Sequence, residues 1–264
     1  MGSDARHWQD TAERYSTGRY MDPALALHTR EVNLDLIRRW ASNLPRHRVL
    51  KTDAFADATC PPRAFSWFIE DAGQLVCYDI APGLAAQARY NAHTVGRPDT
   101  NYVTSDARSL PFADGSFDLI VSDSTLDHFH SSEEIDIALR EHARVLKPGG
   151  IFIVALDNPH NITEPLFRLW LRCRKGPYFI GKTLTSGALV RSLENAGLTV
   201  TGTTAMLHYP RLITKRFLRL LRWAVPSQSD RLAHGLLNAV NLLERCPTRR
   251  LTGLFIAARA VKPL

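Results

Sequence analysis

Two short runs of this chain gather side chains able to move protons or hold polar ligands. Ser122-Asp123-Ser124-Thr125-Leu126-Asp127-His128-Phe129-His130 follows the apolar run Phe117–Val121, and Asp157-Asn158-Pro159-His160-Asn161 follows Ile151–Leu156. Histidine titrates near neutrality, so His128 could take a proton from a hydroxyl. Its competing reading is a histidine that closes a helix N-terminus or packs beneath a ligand. Asp123 is the second catalytic candidate, and Ser122 beside it would touch a ligand. Asp127 either faces solvent or orients His128. Asp157 and Asn158 could bind polar groups of a second ligand or could form a strand-ending turn. Two more carboxylates, Asp79 and Asp106, also follow short apolar runs. His208 and Tyr209 end a further run; His208 would line the substrate side, and Tyr209 reads as core.

These residues need a scaffold that brings distant strand ends together. Short apolar strands are expected at Val49-Leu50, Leu75–Ile80, Tyr102–Thr104, Phe117–Ser122, Ile151–Leu156, residues 198–208 and residues 253–261. Helices of about ten to fifteen residues separate most of them, which is the pattern of a parallel sheet covered on both faces. Pro61-Pro62 would start a helix running to Glu70. Ser131 with Glu134 forms a capping box, ahead of a helix whose Ile135, Ala138, Leu139, His142 and Leu146 share one face. The fold class expected is α/β, a doubly wound, mostly parallel sheet. An N-terminal helical cover spans 1–45, the core 46–210, a helical insertion or lid 211–248, and the final core strand 249–264. Such sheets bind ligands at the carboxyl ends of their strands.

Three stretches then make the sequence resemble a class I S-adenosylmethionine-dependent methyltransferase of the small-molecule, type 11-like group. Ser105-Asp106-Ala107-Arg108-Ser109-Leu110-Pro111-Phe112-Ala113-Asp114-Gly115-Ser116-Phe117-Asp118-Leu119 is similar to that group's D-A-x-x-L-P-F-x-D-x-S-F-D signature. Glu141 to Gly150 resembles its E-x-x-R-V-L-K-P-G-G signature, and Val76-Cys77-Tyr78-Asp79-Ile80 resembles the end of its second strand. The resemblance implies S-adenosylmethionine as cofactor, with Asp79 accepting from the ribose hydroxyls, Ile80 beside it, Asp106 and Ala107 flanking the adenine, and Ser122 near the transferring methyl. His128 aligns with a histidine often found there in that group. The first motif departs from the pattern. Where a glycine-rich loop is usual, this chain reads Val49-Leu50-Lys51-Thr52-Asp53-Ala54-Phe55-Ala56-Asp57. Phe55 in place of glycine would fill the ligand's space unless the loop takes another path. A reshaped loop could instead hold the cofactor through Thr52 and Asp53, with Asp53 toward its amino group. The alternative is a non-methylating or cofactor-free protein on the same fold, acting as a binding or scaffolding module.

Composition bounds the remaining possibilities. Of 264 residues, 45% are apolar and 22% charged, a balance that excludes a disordered chain. No run approaches the roughly 18 apolar residues of a membrane span. The start of the chain lacks the apolar segment of a secretory signal, and the four cysteines are widely spaced, which fits a reducing cytoplasm and argues against a zinc finger. No metal is expected. The net charge is +7, and Arg211, Lys215, Arg216, Arg219 and Arg222 supply five of those charges with no acid among residues 211–223. The charge is therefore local, so a nucleic-acid face is not favoured. On a helical wheel Ile213, Phe217, Leu220, Leu221 and Ala224 oppose the basic residues. This fits a lid whose apolar face packs on the protein's own core, or a helix lying on an anionic membrane at the inner surface. Either suits a small, hydrophobic or lipid-like methyl acceptor.

Overall fold

The computed structural model describes residues 3–15, 21–42, 44, 47–174 and 181–264. Seven strands form one sheet: β1 (Arg48–Thr52), β2 (Gln74–Asp79), β3 (Asn101–Thr104), β4 (Phe117–Asp123), β5 (Leu146–Asp157), β6 (Thr199–Met206) and β7 (Phe255–Val261). Their order is β3-β2-β1-β4-β5-β7-β6. β1 to β5 run parallel, and β7 runs antiparallel to both β5 and β6. The order reverses between β1 and β4, which opens a crevice at the carboxyl ends of those strands.

Burial on both faces explains why the strands read as unbroken apolar runs. Along β5, Ile151, Ile153 and Ala155 enter one core, and Phe152, Val154 and Leu156 enter the other. The first core is covered by α1 (Ser3–Tyr15), α2 (Pro23–Trp40) and α4 (Pro82–Thr94); the second by α5 (Ser132–Val145) and α7 (Ser186–Asn195). α2 starts where Asp22 accepts the Ala24 amide and Pro23 occupies the first turn. α5 starts on the Ser131–Glu134 capping box read from the sequence, and buries Ile135, Ala138, Leu139 and His142. Asp118 ties the lower ends of two strands together, accepting from the Arg48 amide at 2.8 Å and from Lys147 at 2.7 Å.

Two expectations change. The helix expected from Pro61 to Glu70 is instead a pair of 3-10 turns, Pro61–Arg63 and Ser66–Phe68. A continuous helix would leave no way to bury Phe65, Ser66, Trp67 and Ile69 together, yet all four are buried. The turns also aim Ser66 at Asp57 (2.9 Å) and the Trp67 indole at the Tyr102 hydroxyl (2.7 Å). These tertiary bonds outweigh local helical propensity.

The second change concerns the basic helix α8 (Arg211–Ala224), which precedes α9 (Ser229–Asn241) between β6 and β7. It does not lay its apolar face on the core. Only Thr214 and Leu218 are buried, whereas Ile213 is 65% exposed, Leu220 59% and Trp223 80%. The helix is anchored by its basic side: Arg222 binds Asp22 at 2.8 Å, and Arg211 pairs with Asp157 and Glu164. Both acids are buried, so those ion pairs set which side of the helix turns inward.

Candidate active site

All five parallel strands deliver their carboxyl ends to one cavity of about 1140 Å³. That exceeds the roughly 300–1,000 Å³ of ordinary small-molecule pockets, so it has room for two reactants. Asp53 and Phe55 follow β1, Asp79 and Ile80 β2, Asp106 and Ala107 β3, Asp123 and His128 β4, and Asp157 β5; each lines the cavity.

The unusual first loop is held by a buried charge network. Lys51 is 1% exposed, and its Nζ donates to the Asp53 carbonyl at 2.6 Å and reaches Asp57 Oδ1 at 3.5 Å. Asp57 also accepts from Ser66 and Tyr102, each at 2.9 Å. Burial alone would discharge the Lys51 ammonium, but Asp57 and Asp53 outweigh it and push its pKa up. Asp53 takes φ +53°, the left-handed conformation usual for glycine and tolerated by aspartate. Its carboxylate closes the turn, accepting from the Phe55 amide (3.1 Å) and the Thr125 hydroxyl (2.7 Å). Phe55 then opens the short helix α3 (Phe55–Thr59), and its ring meets Trp8 edge-on at 6.0 Å. It forms part of the cavity wall.

Asp79 is 4% exposed and joins the first two loops, accepting from the Ala54 amide at 2.9 Å and the Ala81 amide at 2.8 Å. Burial, then the charge of Asp53, push its pKa up to about 7. Each carboxylate oxygen keeps acceptor capacity toward the cavity. Asp106 is gripped by Arg108 at 2.6 Å. Burial opposes ionisation there, but the Arg108 bonds prevail and its pKa lies below the usual carboxylate range.

At the end of β4, Asp123 is 7% exposed and pairs with Arg63 through Oδ2 at 3.0 Å. Its Oδ1 is buried and accepts no hydrogen bond from a described residue. A buried acceptor without a partner costs about 1–3 kcal/mol, so this oxygen is poised for a donor from a ligand. His128 also lines the cavity wall, its ring 4.5 Å from that of Trp8. Asp127 is fully buried and lies outside the cavity, which rules out the solvent-facing reading. It accepts from Ser124 and from the Asp157 amide at 2.8 Å, and burial, then Asp157, raise its pKa to about 6.

Several sequence candidates lie below the cavity surface. Thr52 and Ser122 are buried and bonded to each other at 2.9 Å. Thr52 also meets Thr125 at 2.9 Å, so the pair couples β1 to β4 beneath the loops. Asn158 donates to the Arg250 and Gly253 carbonyls at 2.7 and 2.9 Å and accepts from the His160 amide, which is the strand-ending turn. His208 has both ring nitrogens engaged, with Thr252 at 2.8 Å and the Ala205 carbonyl at 3.1 Å. Neither borders the cavity. Asp157 does, but Arg211 holds its carboxylate. The residues that sequence reasoning missed are Arg63, Thr125, Trp8 and Arg211. Arg63 is 60 positions from its partner Asp123 and Arg211 is 54 from Asp157, so no local signal pairs them.

Residues 58–154 match the family described as a methyltransferase domain. A ubiquinone/menaquinone biosynthesis C-methyltransferase UbiE from Enterobacter sp. (strain 638) is 35% identical over 107 residues, 40% of this chain and 41% of that protein. A malonyl-[acyl-carrier protein] O-methyltransferase from Geobacter sulfurreducens is 43% identical over 83 residues, 31% of this chain and 29% of that protein. The chain thus matches less than half the length of these relatives. Among solved structures, a Haemonchus contortus phospholethanolamine N-methyltransferase 2 in complex with phosphomonomethylethanolamine and S-adenosylhomocysteine shares the fold, with TM-score 0.57 and 19% identity over 88% of this chain and 52% of the other. So does the [4+2]-cyclase SpnF, with TM-score 0.56 and 20% identity over 88% and 80%. Residues 58–154 are thus similar to a methyltransferase domain, and the whole sheet shares its fold with solved methyltransferases.

Proposed function

We propose that this chain transfers a methyl group from S-adenosylmethionine to a small apolar or amphiphilic acceptor. The observation that carries the reading is the presence, in one cavity, of the β2 carboxylate Asp79 and of Asp123 at the end of β4, whose Oδ1 has no hydrogen-bond partner among the described residues. Asp79 would accept from the ribose hydroxyls. Ile80 and Ala107 would pack beside the adenine, and Asp106, already charged and held by Arg108, would face its amine. Asp53 would sit toward the amino group. The contact of the Phe55 ring with Trp8 supports a hollow left open for such a ligand. When bound, the cofactor supplies an electrophilic methyl on a sulfonium.

The chain's own contribution is orientation and proton handling. Asp123 Oδ1 would accept a hydrogen bond from a polar group of the acceptor, and Arg63 holds that carboxylate in place. His128 would take the proton as the new bond forms. Holding acceptor and donor in line supplies much of the acceleration. Phe167, Tyr209, Leu212 and Phe255 give the acceptor an apolar wall. Two relatives are a C-methyltransferase and an O-methyltransferase, which supports the reaction class.

A second reading is a non-methylating protein on this scaffold. The replaced glycine loop favours it, and a cyclase shares the fold. Incubation with methyl-labelled S-adenosylmethionine and a panel of phenolic, carboxylic and quinone-like acceptors separates the two. The first reading expects label in the organic extract; donor that binds without any label moving supports the second.

A further inference from the structure

We infer that the outward faces of α8 and of α6 (Glu164–Arg174) dock this protein on an anionic lipid bilayer, with the cavity mouth at the membrane surface. On α8, Ile213, Phe217, Leu220 and Trp223 are 65%, 41%, 59% and 80% exposed. On α6, Leu166 and Leu169 are 62% and 57% exposed. Ile213 and Trp170 are exposed and also line the cavity, so the two apolar faces flank its rim. Six large apolar side chains facing water beside one opening form the kind of patch that marks an interaction surface.

Charge identifies the occupant. Residues 211–223 carry five basic residues and no acid, and α6 carries Arg168, Arg172 and Arg174, its one acid, Glu164, being buried and paired with Arg168 and Arg211. Lys215, Arg216 and Arg219 stand at the cavity rim, and Arg216 and Arg219 form no ion pair with a described residue. A helix with an apolar outer face, basic flanks and a terminal tryptophan is built to lie in the headgroup region. An acidic protein surface would satisfy the cations but would leave the indole and its aliphatic neighbours without a hydrocarbon phase. A bilayer satisfies both, and would let an amphiphilic ligand pass from lipid to cavity without crossing water. No helix among the described residues is long and apolar enough to cross a membrane, so the contact is peripheral.

Flotation of the full chain with phosphatidylcholine vesicles, with and without phosphatidylglycerol, tests this without cofactor or acceptor, so its result is independent of the proposed chemistry. The protein should float with the anionic vesicles at low salt and be released by high salt. The double variant Phe217→Ser/Trp223→Ser should bind about tenfold more weakly or worse. Arg216→Gln/Arg219→Gln should lose about fivefold per charge removed on anionic vesicles. Tyr90→Ser, an exposed aromatic on α4 away from the cavity, should leave binding unchanged. Since Trp223 is 80% exposed, the first variant should keep the parent melting temperature. Absence of flotation overturns the inference, as does equal flotation of the double variant, or a dimer in light scattering that the double variant abolishes while no vesicles are bound.

Discussion

Asp79 shows how a single side chain can carry two duties. It accepts two backbone amides, and so fixes the loops after β1 and β2 relative to each other. With a pKa raised to about 7 by burial and by Asp53, it is also poised between its two protonation states near neutrality. In its proposed role, only the ionised form would accept from both ribose hydroxyls. Cofactor affinity should therefore strengthen by about tenfold between pH 6 and pH 8, and calorimetric titration of Asp79→Asn should show weaker, pH-independent binding. The position of this acid was legible in the sequence because it ends an apolar run; its raised pKa was not, because Asp53 approaches from another loop. Asp123 makes a different demand. Asp123→Asn should lower turnover by on the order of a hundredfold while cofactor affinity stays within about twofold. An equal fall in both would assign Asp123 to cofactor binding instead.

At the scale of elements, the first loop decides whether the site works. Glycine is absent, yet the backbone still makes the left-handed turn at Asp53, because aspartate tolerates that region and its carboxylate caps the turn. Asp53→Ala and Asp53→Gly both lose the carboxylate bonds, but only alanine is strained at φ +53°. The alanine variant should be less stable than the glycine variant by about 1 kcal/mol in urea unfolding. Equal stability would remove the backbone from the explanation. Strands and α5 were readable because burial on two faces, or a capping box with a 3.6-residue period, leaves a local signature. The turns after Pro61 were not, because they answer to Asp57 and Tyr102. α8 was readable as amphipathic but not in its orientation, which the buried acids Asp157 and Glu164 set.

Across the whole molecule, buried titratable groups pull stability in opposite directions. His142 and His28 are buried, and desolvation lowers each pKa from the ordinary 6.5 to about 4. The unfolded chain binds these protons first, so their contribution is complete above about pH 6.5 and is lost as pH falls toward 4. Asp79 and Asp127, with pKa values raised to about 7 and 6, act the other way: the folded chain binds their protons first, and stability falls as pH rises from the ordinary carboxylate range through those values. His142→Gln should therefore flatten the acid side of the stability profile by up to about 1.4 kcal/mol per pH unit, measured as urea midpoints between pH 4.5 and 6.5. An unchanged slope would mean that His142 is charged in the folded protein.

The same architecture brings five strand ends around one hollow, and the proposed methyl transfer requires that hollow to accept a nucleoside sulfonium despite its rebuilt floor. Calorimetric titration of the folded chain with S-adenosylmethionine and S-adenosylhomocysteine tests this most directly. One saturable site per chain for each ligand, with a rise in melting temperature, is the predicted result. Neither heat nor a thermal shift from a correctly folded sample would contradict it.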